Sequence, residues 1–425
     1  MSKKLALFGG TPVRSEEFYD GPHIGPHDLD RLKSVLDSGN FGGIPFPNTH
    51  HTAFADLFTG KLGAPHGLMV ANGTISLSIA LRALGVRAGD EVITTGYTWM
   101  GTAAAVVHIN AVPVLVDIDP TTWCIDPAAV EAAITPRTKV IIPVHLGNQI
   151  ADLDALRAVA DKHGLAILED TAHGHFAEWR GRCVGTHGEA GSFSFESSKI
   201  MTAGEGGFLV ARDEDVHQRM MSLTNCGRKE PGYDGFEGRT LGWNARASEL
   251  QAAFMIGQVE QHDALHAKRA ASAAKLTAGL AEIGGFTPVG DDDPRITKRQ
   301  YYEVIYRFDP AAWEGLHRDR VLSAILAEGI ELEGDAFYPP VHKSELFAVD
   351  AAHWPMIAER YGDRIGPDSV DLPITDRAAA DESVWVHHAL LTGDDKDLAD
   401  ILEAVVKVRD NLHELHEAHE PHKAG

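Results

Sequence analysis

The sequence predicts an α/β fold: a large unit built on a mainly parallel seven-stranded sheet, followed by a smaller α+β unit. Three observations predict it. Short β-rich runs alternate with helical patterns from about residue 67 to 211. Several of these runs are almost wholly apolar, as expected of strands covered on both faces. A chain of 425 residues has room for one large and one smaller domain.

In chain order, Leu68–Ala71 reads as a strand and Thr74–Leu84 as a helix. Glu91–Thr95 is a strand, Thr102–Ile109 a helix, and Val112–Ile118 a strand. Asp126 has the character of an N-cap, with Pro127 at the first helical position. Val140–Val144 follows as a strand, then Leu153–His163 as a helix with Gly164 placed to end it. Leu165–Glu169 is the fifth strand; Gly191–Phe195 and Gly207–Ala211 make a close pair. Residues 226–243 are rich in glycine and charge and read as a long loop. Ala247–Ala281 is strongly helical, and YYEVIYRFD from Tyr301 is a strand. The division expected is an N-terminal arm over 1–25, a large domain over 26–284 and a small domain over 285–425. The tail from Val405 is polar and His-rich and is expected to fray.

Composition narrows the function. Apolar residues make up 44% and charged residues 23%, ordinary for a soluble globular chain. The formal charge of −23 disfavours nucleic acid and anionic membranes as partners. Three scattered cysteines, Cys124, Cys183 and Cys226, match no zinc pattern and suit a reduced cytoplasm. The apolar stretch in MSKKLALFGGTPVR is too short for a signal peptide, and no run of ~18 apolar residues suggests a membrane span.

Five local features carry chemistry when taken together. In GSFSFESSKIMTAGEGG, Lys199 follows an apolar strand; partial desolvation there would lower its pKa and favour Schiff-base chemistry, although an isolated lysine is usually solvated. In LAILEDTAH, Asp170 ends a buried strand, where ligands of open α/β sheets bind; a metal ligand or a helix cap is the plainer reading. The turn Asn72-Gly73-Thr74 enters a helix and could hold a phosphate, or simply cap that helix. Trp99, just past a strand end, could stack on a flat ring or fill a core. Asn244 and Arg246, at a helix mouth, could bind phosphate or carboxylate, or be a cap and a surface charge.

The ordered set resembles the DegT/DnrJ/EryC1/StrS aminotransferases, from LFGGTPVR to about residue 408. It comprises the ANGT turn, Thr98-Trp99, PVHL at 143–146, EDTAH at 169–173, the FSF…K…GEGG block and the N-x-R-x-S-E helix start. The resemblance implies a fold-type I architecture and pyridoxal 5′-phosphate (PLP) as cofactor. It implies that Lys199 bonds to the cofactor aldehyde, Asp170 pairs with the pyridine nitrogen, His173 lies near the ring hydroxyl and Trp99 stacks on the ring. Gly73, Thr74, Ile75 and Ser194 would hold the phosphate. Asn244 would reach the phosphate of a neighbouring subunit, making the active unit a homodimer with shared sites.

Within the family the chain is similar to glutamine:scyllo-inosose and 2-deoxy-scyllo-inosose aminotransferases, through TWCIDP, AITPRTKVIIPVHL, YYEVIYRFDP, PPVHKSELF and VHHALL. That implies L-glutamine or glutamate as donor and a keto-cyclitol or ketosugar as acceptor. Tyr301, His342 and Arg246 are the candidate substrate contacts. Lys199 distinguishes the chain from the dehydrating branch, which carries His there. Gly147-Asn148-Gln149, PFPNTHH and ESSK depart from the pattern and could lie near the substrate.

Other classes fit less well. ALFGGTPV supplies no GxGxxG, and Gly60-Lys61 is followed by Leu62 rather than Ser or Thr. His413, His416 and His419 are spaced by three, unlike a zinc HExxH, and no metal site is expected. A binding or sensor protein on the same fold is disfavoured by the intact Lys199 and Asp170.

Overall fold

The computed structural model describes residues 4–19, 21–229, 240–290, 292–334 and 337–417. The middle of the expected long loop, 230–239, and His419 of the tail lie outside the described residues. The strands, in chain order, are His66–Val70 (β1), Glu91–Thr95 (β2), Val112–Val116 (β3), Thr138–Ile142 (β4), Ala166–Asp170 (β5), Glu178–Trp179 (β6), Arg182–Cys183 (β7), Ala190–Ser194 (β8), Gly207–Ala211 (β9), Phe286–Pro288 (β10), Ile296–Lys298 (β11), Glu303–Phe308 (β12) and Ser383–His387 (β13).

The principal sheet has seven strands in the order β1-β9-β8-β5-β4-β2-β3. Strand β9 is antiparallel to both neighbours, and the remaining pairs are parallel. The reason is the connection. Helices join β2 to β3 and β4 to β5, and residues 171–189, with the short strands β6 and β7, carry the chain round so that β8 runs parallel to β5; residues 195–206 instead fold straight back from β8 to β9. This reversing loop carries Lys199. The reversal also sets the register Val70, Gly207 and Ser194 side by side, so the ends of β1 and β8 meet at one edge.

The first helices are Asp28–Ser38 (α1), Thr49–Leu62 (α2), Gly73–Ala83 (α3), Gly101–Val107 (α4), Pro127–Ala133 (α5), Leu153–His163 (α6), Glu214–Thr224 (α7) and Glu249–Ile283 (α8). They cover both faces of the sheet. Val70, Ile142 and Leu168 pack toward Ile79 and Leu81 of α3. Their neighbours Ile141 and Ile167 point the other way, toward Val130 of α5 and Leu156 of α6. Phe193 and Phe208 meet Phe54 and Phe58 of α2 and Met255 of α8. The side chains of Asn72, Asp126 and Asp152 accept bonds from the first turns of α3, α5 and α6. Helix α8 starts two residues later than expected because Ser248 and Gln251 close a reciprocal capping box.

Beyond α8 come Arg318–Ala327 (α9), Ala358–Tyr361 (α10), Pro373–Arg377 (α11), Asp395–Asp410 (α12) and Leu412–Glu417 (α13). A second core forms between the antiparallel sheet β10-β12-β13, helices α9 and α12, and the last third of α8 through Ala273, Leu276 and Leu280. Leu5 is buried in this same core. Glu328 accepts bonds from the Ala6 and Val13 amides at 2.8 and 3.1 Å, and Arg14 pairs with Asp397 and Asp400 at 2.7 and 3.0 Å. Val341, Phe347 and Leu372, by contrast, return to the principal sheet and cover Ala103, Val107 and Leu115.

The expectation that the tail frays from Val405 is overturned. Val405, Val408, Leu412 and Leu415 fall at spacings of three and four, form one apolar stripe, and are buried in the second core. The histidines dominate the composition but face outward: His413 and His416 are exposed. No helix among the described residues is long and apolar enough to cross a membrane.

Leu415→Ala is therefore expected to cost ~2–5 kcal/mol of stability, the range for truncating a buried leucine, whereas His413→Ala costs little. Thermal or denaturant unfolding of the two variants distinguishes a packed tail from a frayed one.

Candidate active site

A cavity of about 850 Å³ opens at the carboxyl edge of the principal sheet. It collects Asn72, Gly73, Thr74 and Ile75 after β1, Thr98 and Trp99 after β2, Asp170 and His173 from the end of β5, and Ser194 from the end of β8. Lys199 and, from the second unit, Tyr302 and Tyr338 complete it. Strand ends diverge into loops here, so the edge is where a sheet of this kind leaves room for a ligand.

Lys199 sits in a turn closed by its own amide donating to the Glu196 carbonyl at 3.0 Å. Its amine lies 4.2 Å from the centre of the Tyr302 ring. Burial lowers its pKa to about 8; Glu196, Asp170 and Glu303 act in the opposite direction by charge. The loop is pinned from the second unit. Tyr302 and Ser198 share a hydroxyl hydrogen bond of 3.0 Å, and the His388 ring bonds the Ser198 carbonyl at 2.8 Å.

Asp170 is buried at the last position of β5. Its Oδ2 accepts from the Thr102 hydroxyl at 2.8 Å and its Oδ1 from the Ala172 amide at 3.2 Å. Burial raises its pKa, while Thr102, Ala172 and the Lys199 charge resist that rise. The preceding residue, Glu169, faces the opposite side and is used up there by the Gly185 and Gly188 amides, both at 2.7 Å, and by His145 at 3.1 Å.

His173 is fixed on three sides. Its Nδ1 accepts from the Gly147 amide at 3.1 Å, which leaves Nε2 to donate to the Tyr338 hydroxyl at 3.1 Å. Its ring stacks on Tyr302 with centroids 4.2 Å apart. Burial first, then the Lys199 charge, hold its pKa well below the usual value, so the ring is neutral.

The residues fit a phosphate-bearing flat cofactor. The first turn of the eleven-residue helix α3 opens into the cavity, where helical amides have no partner in the preceding turn. Close approach there needs glycine: a Cβ on Gly73 would lie 2.8 Å from Ser194 Cβ, and one on Gly207 would lie 2.5 Å from Asn72 backbone atoms. The Ile75 amide is already given to Asn72 Oδ1 at 2.8 Å. Gly101 likewise makes room for the ring of Trp99, which a Cβ would meet at 2.8 Å. Trp99 stands half exposed at the rim, with Ala172 also lining the cavity.

Thus Gly73, Thr74, Ile75, Trp99, Asp170, His173, Ser194 and Lys199 are brought together. Asn244, Arg246, Tyr301 and His342 are not among the cavity's lining residues. Asn244 is exposed and bridges Asn225; Arg246 donates to Asn225 Oδ1 at 2.6 Å. Tyr301 turns toward α8 and stacks on His266 at 6.0 Å. His342 is buried outside the cavity, 3.3 Å from Asp376. Tyr302, Tyr338 and Thr102 line the cavity without having been read as site residues from the sequence, whereas Glu196 and Ser198 belong to the ESSK segment set apart there. Tyr302 turns to the cavity and Tyr301 to the second core against the alternation of β12, whose Val304 and Tyr306 face that core, because the chain bends at Tyr302 before the strand begins.

The comparisons with known proteins agree with this geometry. A model of the DegT/DnrJ/EryC1/StrS aminotransferase family matches residues 22–391. A protein of Streptomyces kanamyceticus, assigned as an L-glutamine:3-amino-2,3-dideoxy-scyllo-inosose aminotransferase, is 95% identical over 414 residues, covering 97% of this chain and 99% of its own. The L-glutamine:2-deoxy-scyllo-inosose aminotransferase of Streptoalloteichus tenebrarius is 40% identical over 419 residues, covering 96% and 98%. Among solved structures, DesI in the presence of its TDP-sugar product superposes with a TM-score of 0.83 at 30% identity, covering 98% of this chain and 99% of that one.

Thr102→Val is expected to lower kcat by ~10-fold or more without changing the fold, since it removes one charge-assisted hydrogen bond that holds Asp170. Steady-state kinetics beside a thermal melt separate this loss from instability.

Proposed function

The chain belongs to the DegT/DnrJ/EryC1/StrS aminotransferase family, and from that premise we propose that it moves the amino group of L-glutamine to 3-amino-2,3-dideoxy-scyllo-inosose in aminoglycoside biosynthesis. It is a PLP-dependent aminotransferase. The observation that carries the choice of acceptor is the 95% identity across 97% of the chain with the relative assigned to that reaction. The 40% identity with an enzyme for a related keto-cyclitol supports the same substrate class.

Bound PLP supplies an aldehyde that carries the amino group and a ring that withdraws electrons from the substrate carbon bearing it. Lys199 would be the group that bonds to that aldehyde, with loss of water, and as a free amine it would move the proton on and off the substrate carbon. A pKa of about 8 supports both tasks, because an appreciable share of the amine is unprotonated near neutral pH. Asp170 would pair with the ring nitrogen and keep it protonated; the Thr102 and Ala172 bonds support that role by aiming the carboxylate. The Gly73 and Thr74 amides, with Ser194, would hold the phosphate at the start of α3, and Trp99 would cover the ring. His173 would lie beside the ring hydroxyl as a neutral imidazole, a role supported by its bonds to Gly147 and Tyr338, which hold the ring in place. Tyr302 and Tyr338 exclude water on the side of the second unit.

We also propose that the active unit is a homodimer in which Asn244 reaches the phosphate in the partner's site. Its exposure and its position outside the cavity of its own chain support this reading.

The holoenzyme is expected to show a visible absorption band that L-glutamine bleaches and 3-amino-2,3-dideoxy-scyllo-inosose restores. Lys199→Ala should retain cofactor and lose turnover; appreciable steady-state transamination by this variant would remove the assignment of the lysine. For the dimer, light scattering should give twice the 45.9 kDa chain mass. Asn244→Ala should weaken cofactor retention while leaving that mass unchanged.

A further inference from the structure

The proposed acceptor differs from its relatives in charge. In 3-amino-2,3-dideoxy-scyllo-inosose, the ketone is C1, C2 is a methylene and C3 carries the amine. An alkyl amine of this kind is an ammonium at neutral pH. The acceptor named for the 40% identical relative, 2-deoxy-scyllo-inosose, has no amine. The cation is two ring carbons from the carbon that reacts, so it must be held close to Lys199. Two cations so near each other repel unless a carboxylate lies between them.

The described residues lining the cavity include three acids: Asp170, Glu196 and Glu205. Asp170 is buried and given to Thr102 and Ala172. Glu205 is exposed, and its carbonyl is tied to the Gln251 side chain at 2.7 Å. Glu196 is half-buried, three residues before Lys199 in the turn that the lysine amide closes. It is the leading acidic charge acting on the Lys199 amine. Its carboxylate is already aimed. Oε1 accepts from the Ser197 hydroxyl; Oε2 accepts from the Ser198 amide at 3.0 Å and the Ser198 hydroxyl at 2.7 Å. Those bonds outweigh the effect of burial and hold its pKa below the ordinary range, so it is ionised. A carboxylate offers about four lone-pair sites, so capacity remains on Oε1 for a further donor.

Resting on the reading of the acceptor as an amino-ketone, we propose that Glu196 is the residue that binds its ammonium and sets the preference for amine-bearing over neutral keto-cyclitols. Ser197 and Ser198 orient the carboxylate, and the Ser198 bond to Tyr302 ties that orientation to the wall of the second unit. No charge is created or consumed by this contact; it positions the ring so that C1 faces Lys199.

The test compares holoenzyme with Glu196→Gln, which keeps the shape and the oxygen that Ser197 can reach. The glutamine-loaded enzyme is discharged with 3-amino-2,3-dideoxy-scyllo-inosose or with 2-deoxy-scyllo-inosose, and the ratio of the two kcat/KM values is read. The ratio is expected to fall by about tenfold or more, the scale of one charge-assisted hydrogen bond. A role confined to shaping the turn would lower both values together and leave the ratio unchanged, which overturns the proposal. Glu205→Gln should leave the ratio intact; if it collapses the ratio instead, Glu196 is the wrong carboxylate. Calorimetric binding of the 1,3-diamino-cyclitol product against neutral scyllo-inositol gives a second readout that does not depend on turnover. Wild-type preference for the diamine, lost in Glu196→Gln, supports the proposal even if the amino-ketone fails to discharge the enzyme, which would count against the acceptor alone. No preference in the wild type overturns it.

Discussion

A primary amine held away from water is unstable as a cation, and the rest of the site answers that one constraint. Lys199 has to lose part of its charge to react, yet it cannot be moved into plain apolar surroundings without becoming useless as a proton carrier. The fold meets both needs by placing it on a loop between two reversing strands, against the face of Tyr302 and within reach of carboxylates. The loop cannot wander, because Tyr302 and His388 bind the residue just before the lysine. Neither partner belongs to the principal sheet: Tyr302 precedes β12 and His388 follows β13. The second unit therefore acts as part of the wall that tunes the amine.

Much of this was legible in the sequence where a local rule decides. The alternation of apolar runs and helical patterns located the seven strands, and the side chains of Asn72 and Asp126 mark helix starts by a mechanism confined to three or four residues. Strand ends were legible too, and that is why Gly73, Trp99, Asp170 and Lys199 were found together: each follows or closes a strand of one mainly parallel sheet. Long-range pairing was not legible. Helices α1 and α2 lie ahead of β1 and pack on α8, some two hundred residues away in sequence, so nothing local announced them. Tyr301 and Tyr302 carry the same chemistry, and the bend at Tyr302 ahead of β12, which no local pattern announces, decides which of them faces the cavity. The tail misled because composition and periodicity disagreed: its histidines suggested solvent, but the spacing of Val405, Val408, Leu412 and Leu415 governed.

The site also illustrates how packing limits and chemistry share the same residues. At Gly73 and Gly207 the two strand ends come so close that a methyl group would collide with backbone or with Ser194. Glycine there weakens the local backbone preference, since it has the most freedom to lose on folding. The capped first turn of α3 offsets that weakness, and the same close approach opens helical amides to a ligand. Glu169 and Asp170 divide along the same lines. One strand turns consecutive carboxylates to opposite faces, and the first is consumed in bracing loop amides while the second stays in the cavity.

The joining of residues 5–14 to the core built by α9 and α12 bears on how the molecule is made. Leu5 donates its amide to Glu414, and Arg14 meets Asp397 and Asp400, so partners some four hundred positions apart are sewn into one knot. A nascent chain on the ribosome can assemble the principal sheet early, yet it must carry that opening segment unpaired until the last helices emerge. Completion of the second core thus waits until the segment holding Asp397, Asp400 and Glu414 is free to fold. An incomplete translation product would keep Leu5 and its neighbours exposed, a surface that quality-control proteases are well suited to recognise.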